Sequence, residues 1–125
     1  MMNVIDLSGW LEYFADGANA GFFESAIKDD ENLVIPTICL YEVFKITLAR
    51  TGKDEALRVA GQMSFGKIVD LDREIALAAA QLSLQQKLSM ADSIILATAQ
   101  ASEAVLWTQD EHFKDIPGVK FVEKK

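Results

Sequence analysis

The chain has 125 residues, half of them hydrophobic and a quarter charged, with 12 Lys and Arg against 19 Asp and Glu and a net charge of −7. That balance is ordinary for a folded soluble protein and excludes disordered, collagen-like and coiled-coil classes, while the length fits one domain over residues 1–125. Binding nucleic acid by phosphate neutralisation alone is also disfavoured, because the basic residues are few and scattered from Lys28 to Lys125.

Short apolar runs alternate with longer helical patterns along the chain. Val4-Ile5 reads as a first strand, followed by helices near 8–15 and 19–28. Leu33-Val34-Ile35 is a second strand, then helices near 37–50 and 53–63. Lys67 to Leu71 is a third strand, then helices near 72–87 and 90–102. Val105-Leu106-Trp107 is a fourth strand, with a single helical turn near 111–114, and Val119 to Val122 a fifth. Turn signals such as Asp16-Gly17-Ala18-Asn19, Thr51-Gly52-Lys53-Asp54 and Pro117-Gly118 separate them, and none is long enough for a linker. Strands alternating with helices predict a three-layer α/β/α sandwich around a central, mainly parallel sheet of about five short strands.

Two chemistries are limited by composition. Cys39 is the sole cysteine and cannot form an internal disulfide, and with His112 as the sole histidine it cannot supply the usual zinc ligands. The start, Met1-Met2-Asn3-Val4-Ile5-Asp6, has no basic leader, and no run of about 18 apolar residues occurs anywhere. A cytoplasmic protein without a membrane span is expected.

In parallel sheets ligands bind outside the carboxyl ends of the strands, and carboxylates gather at those places. Asp6 leaves the first strand and Asp110 the fourth, each in front of a helical turn where an N-cap is an equal explanation. Asp92 closes a Ser89-Met90-Ala91-Asp92 capping pattern, yet shares a helical stripe with Ile95, Leu96 and Ala99. Glu42 sits between Ile38 and Ile46 on an apolar stripe, where a carboxylate costs stability unless Lys45 or a metal pairs with it. Four carboxylates in one crevice would raise each other's pKa values, and a hard cation, Mg²⁺ or Mn²⁺, relieves that repulsion. Two such ions would reduce the charge from −7 to about −3.

The segments Asn3-Val4-Ile5-Asp6-Leu7-Ser8, Ile35-Pro36-Thr37-Ile38 through Tyr41-Glu42-Val43, Leu88-Ser89-Met90-Ala91-Asp92-Ser93-Ile94-Ile95-Leu96 and Leu106-Trp107-Thr108-Gln109-Asp110-Glu111-His112-Phe113 resemble the four motifs of PIN-domain ribonucleases. In length and layout the chain is similar to the VapC-type toxins of toxin–antitoxin pairs. The resemblance implies that Asp6, Glu42, Asp92 and Asp110 hold Mg²⁺ or Mn²⁺ and cleave RNA phosphodiesters. It implies that Ser8 and Thr108 orient a carboxylate or a water from behind them. It also implies an antitoxin partner across the early helices and a homodimer. A PIN-like RNA-processing nuclease without an antitoxin is the alternative within the family.

Other readings fit less well. A receiver-type Mg²⁺-binding signalling domain needs paired acids after the first strand, whereas Asp6 stands alone and Asp92 lies a turn inside a helix. A phosphatase with an aspartyl nucleophile would show Asp-x-Asp where this chain has Asp6-Leu7-Ser8, and no glycine-rich first turn supports a nucleotide-binding enzyme. His112 reads as a solvated or locally hydrogen-bonded side chain. Trp10, Tyr13, Phe14, Phe22 and Phe23 read mainly as core, with a partner groove as the alternative. Lys45, Arg50 and Lys87 are candidate phosphate contacts, and the choice of RNA target is not written in the sequence.

Overall fold

The computed structural model describes residues 1–125. The strands are β1 (Met2–Ile5), β2 (Leu33–Pro36), β3 (Lys67–Val69), β4 (Ala104–Thr108) and β5 (Val119–Phe121). The helices are α1 (Leu7–Phe14), α2 (Ala20–Lys28), α3 (Thr37–Thr51), α4 (Lys53–Met63), α5 (Arg73–Gln86) and α6 (Met90–Ala101), and short 3₁₀ turns occupy Asp30–Asn32 and Glu111–Phe113. The boundaries fall within one residue of those read from periodicity, apart from the start of β1 and the end of β3, which differ by two.

All five strands are parallel, in the order β3-β2-β1-β4-β5. The sheet is therefore wholly parallel where a mainly parallel one was expected. β2 is buried at every residue, consistent with a strand covered on both faces. β3 is an edge strand that ends at Val69, not at Leu71; Ile68 and Leu71 are 43% and 46% exposed. The chain leaves the sheet there, and Leu71 N–H donates to Thr37 Oγ1 (3.3 Å).

Right-handed crossovers place the helices. From β1 the chain steps outward through α1 and α2 to β2, then through α3 and α4 to β3. It returns through α5 and α6 to β4 on the other side of β1. Steps of opposite direction put α1–α4 on one face and α5 and α6 on the other. The strand order reverses between β1 and β4, so the crevice of the fold opens where those two strands end. Asp6 N–H bonds to Trp107 O (3.2 Å) at that point and keeps the two exits adjacent.

The core is one contiguous apolar cluster that includes Val4, Ile5, Leu33, Ile35, Leu96 and Leu106, with Trp10 and Phe23 fully buried in it. Close packing of α1 on the sheet depends on Gly9, where a Cβ would come 2.6 Å from Ile5 Cγ2 and 2.7 Å from Phe23 Cε1. Gly52 joins α3 to α4 at φ 94°, a conformation that favours glycine. Trp10 and Phe23 are thus core, as expected for the aromatic stripe. Tyr13, Phe14 and Phe22 are only partly buried against it.

Candidate active site

Asp6 is the first residue past β1 and the N-cap of α1, with extended backbone angles. Its Oδ1 accepts from Gly9 N–H (3.0 Å) and Ser8 Oγ (2.7 Å), and its Oδ2 accepts from Thr108 Oγ1 (2.7 Å). Capping uses one oxygen and leaves the carboxylate aimed into the crevice, so the cap and the site are one arrangement. Asp6 is 2% exposed. Burial pushes its pKa from 3.8 up to about 6; the three hydrogen bonds oppose that rise and the charge of Asp110 adds to it.

Thr108, at the end of β4 and fully buried, ties two acids together. Its hydroxyl donates to Asp6 Oδ2 and accepts from Asp110 N–H (2.9 Å). Ser8 Oγ donates to Asp6 and accepts from Gln109 N–H (3.2 Å). Asp110 is the N-cap of the 3₁₀ turn, where Oδ1 accepts from His112 N–H (2.9 Å) and lies 2.8 Å from His112 Nδ1.

Asp92 lies in the first turn of α6, whose N-cap Ser89 accepts from Asp92 N–H (3.3 Å). Burial and then Asp110 raise its pKa, while Ser89 and His112 lower it. Glu42, near the start of α3, has its pKa raised by burial, then by Asp92 and Asp6. One of its oxygens, Oε1, is buried with no hydrogen-bond partner. The alternative of a pairing with Lys45 does not form: Lys45 Nζ sits 5.6 Å over the Tyr41 ring instead. Leaning an ammonium on an exposed aromatic face keeps it solvated, whereas reaching Glu42 would desolvate it.

A buried thiol reports the same convergence from below. Cys39 is fully buried, donates weakly to Ile5 O (3.7 Å), and has its pKa raised by burial and by Asp6, Glu42 and Asp92 together. The charges of Asp6 just past β1, Glu42 on α3 and Asp92 on α6 thus all reach this thiol, although Glu42 is not among the residues that line the crevice itself. Asp6, Asp92 and Asp110 line a crevice of about 460 Å³. Clustered oxygen donors of this kind, with a nearby carboxylate oxygen that has no hydrogen-bond partner, could hold a hard divalent cation.

Two basic residues border the crevice, Arg50 from the end of α3 and Lys124 near the C-terminus. Arg50 is one of the three candidate phosphate contacts. Lys45 is engaged with Tyr41 and Lys87 forms the left-handed cap of α5, so neither lines it. Lys124 carries no pattern in sequence. Nor does the buried network behind the site. Asn19 Nδ2 donates to Gln109 Oε1 and Glu123 O (both 2.9 Å), and its N–H donates to Glu12 Oε2 (2.7 Å). That network fastens the α1–α2 turn and the C-terminal segment to the exit of β4.

A family model described as PIN domain matches residues 4–119. This chain belongs to the PIN-domain family. The fold is also similar to a chain of a toxin–antitoxin complex from Klebsiella pneumoniae, at 25% identity and a TM-score of 0.81 over 94% of this chain and 95% of that one. It is similar to a chain of VapBC2 from Rickettsia felis, solved with promoter DNA, at 20% identity and a TM-score of 0.73 over 98% of each chain. Mycobacterium tuberculosis VapC20, a toxin that cleaves the sarcin–ricin loop, matches at 14% identity and a TM-score of 0.74 over 92% of this chain and 95% of that one. No curated protein sequence matches significantly. Membership of the PIN family removes the receiver-domain reading, and no helix is long and apolar enough to cross a membrane.

Proposed function

We propose that this PIN-domain protein is a divalent-metal-dependent endoribonuclease and the toxin of a toxin–antitoxin pair, with Asp6, Glu42, Asp92 and Asp110 as the residues that hold Mg²⁺ or Mn²⁺. The observation that carries the reading is the crevice at the strand-order reversal lined by Asp6, Asp92 and Asp110, supported by the unpartnered buried Oε1 of Glu42, whose pKa Asp92 and Asp6 help to raise. A bound divalent ion would supply water activation and charge stabilisation for an in-line displacement at phosphorus.

The chain's own residues do the rest. Thr108 and Ser8 fix the Asp6 carboxylate in one orientation, so it meets a cation without reorganisation. Arg50 and Lys124 flank the crevice and can take the phosphates on either side of the scissile bond. They are too few to hold RNA tightly against a net charge of −7, so productive binding depends on the cation. RNA as the substrate class is supported by the structural likeness to VapC20, a toxin that cleaves the sarcin–ricin loop.

The partner reading rests on surface features and on relatives solved in toxin–antitoxin complexes. A groove of about 250 Å³ is lined by Trp10, Tyr13, Phe14 and Ile27 together with Phe65, which is 72% exposed. Lys28, Asp30 and Gln62 complete its lining, and a groove of mixed aromatic and polar character suits an amphipathic segment of an antitoxin. For the homodimer, α5 turns Leu77 and Leu84 outward, 64% and 85% exposed and two helical turns apart. The test is cleavage of a mixed RNA pool with mapping of the new ends, with and without Mg²⁺. Metal-dependent ends that vanish in Asp6→Asn support the proposal, and full activity in that variant refutes it. Light scattering with and without a co-expressed neighbour tests the partners, and a lone monomer in both cases counts against them.

A further inference from the structure

We infer that His112 supplies an imidazole nitrogen to the cation-binding cluster. With Asp92 and Asp110 it forms an outer position that takes a first-row transition ion such as Mn²⁺ in preference to Mg²⁺. This role rests on the carboxylate reading above and adds a residue and a metal selectivity to it.

The geometry suits a shared ion. One ligand atom from each of Asp92, Asp110 and His112 lies within 4.8 Å of the other two. His112 Nδ1 and Asp110 Oδ1 are 2.8 Å apart. Neighbouring ligands on a six-coordinate ion with bonds of about 2.1 Å are about 3 Å apart, so this pair already spans an edge of such a site. Without an ion, Nδ1–H donates to Asp110 Oδ1; a cation would take the place of that proton, leaving the imidazole protonated on Nε2 and the Nδ1 lone pair shared on the ion with the carboxylate.

The placement of the ring agrees with that role. His112 belongs to the 3₁₀ turn that Asp110 caps, and its side chain is 72% exposed. Packing therefore does not dictate its position. The sequence suggests a local hydrogen bond, and that bond exists. What periodicity cannot show is that α6 brings Asp92 to the same corner from the other face of the sheet.

Chemistry gives the selectivity. Mg²⁺ strongly favours oxygen ligands, whereas imidazole suits first-row transition ions. Asp6 and Glu42 lie outside the three-residue group and offer only oxygen. The outer corner thus differs from the depth of the crevice in donor type.

The test is pulsed EPR on the purified chain loaded with Mn²⁺, with Mn²⁺ and Mg²⁺ affinities measured for wild type and His112→Ala by calorimetry. A nitrogen hyperfine coupling in wild type that disappears in the variant is expected. So is a Mn²⁺ affinity lower by on the order of tenfold, with Mg²⁺ affinity changed by less than about twofold. Bound Mn²⁺ without nitrogen coupling, or an unchanged ratio of affinities, overturns the role of His112 and leaves the carboxylate site standing. Failure of both ions to bind wild type overturns the carboxylate site as well.

Discussion

Replacing Asp6 by Asn should make the metal-free protein more stable while abolishing cleavage, and the structure sets the size of the effect. Burial raises the Asp6 pKa from 3.8 to about 6, and each tenfold in proton affinity is worth about 1.4 kcal/mol. Keeping this carboxylate ionised in the folded state therefore costs about 3 kcal/mol. The folded pKa lies above the unfolded one, so the native state binds the extra proton between pH 3.8 and about 6. The cost is full above about pH 6, shrinks as pH falls through that window and is absent below pH 3.8. Asn imitates the protonated acid: its oxygen can still accept from Gly9 N–H, and its amide can meet Thr108 Oγ1 once that hydroxyl turns. Allowing for imperfect hydrogen bonding of the amide, Asp6→Asn should gain roughly 1–3 kcal/mol at pH 7.5 in a chelator, a Tm rise of several degrees. Thermal unfolding of both proteins at pH 7.5 and pH 4 would show it, with the gap closing at the lower pH. Saturating Mg²⁺ should reverse the order, because the ion stabilises only the protein that binds it. A less stable Asp6→Asn protein in chelator at pH 7.5 would refute the electrostatic argument.

Metal affinity should weaken as pH falls from 8 to 5.5, because Asp6, Glu42 and Asp92 all hold protons more tightly than ordinary carboxylates; calorimetric titration with Mg²⁺ at the two pH values checks this. Gly9→Ala should destabilise by about 1–3 kcal/mol through its collision with Ile5 and Phe23, read from denaturant midpoints. Asn19→Ala leaves Gln109 and Glu123 O short of a donor and should cost about 1–3 kcal/mol. Phe65→Ser should leave the unfolding midpoint within about 0.5 kcal/mol, yet weaken capture of a co-expressed antitoxin in a pull-down, since Phe65 is 72% exposed.

Alternation of apolar strands with helical patterns made the layers legible, most clearly in β2, whose apolar residues are all buried under cover on both faces. The limits of β3 were less legible. Leu71 continues the strand-like pattern but lies beyond the edge strand, where no strand pairs with it, and tertiary position overrides composition there. Among the acids, Asp6 and Asp110 were visible as strand-exit residues, and Glu42 as a charge on an apolar stripe. Capping could not be separated from site formation in sequence, and in Asp6 one carboxylate does both, with Oδ1 capping α1 through Gly9 N–H and Oδ2 held by Thr108. Asn19, Gln109 and Lys124 were hidden because they meet the site through contacts about a hundred residues apart, with no periodic signal.

Metal-dependent cleavage bears most directly on the central claim that carboxylates from β1, α3, α6 and the exit of β4 act together through a divalent cation. The measurement is cleavage of a defined RNA pool by the purified, partner-free chain in chelator and then with Mg²⁺ or Mn²⁺ restored. The account predicts no cleavage in chelator and recovery on adding either ion. Undiminished cleavage in chelator, or none at saturating ion, would contradict it.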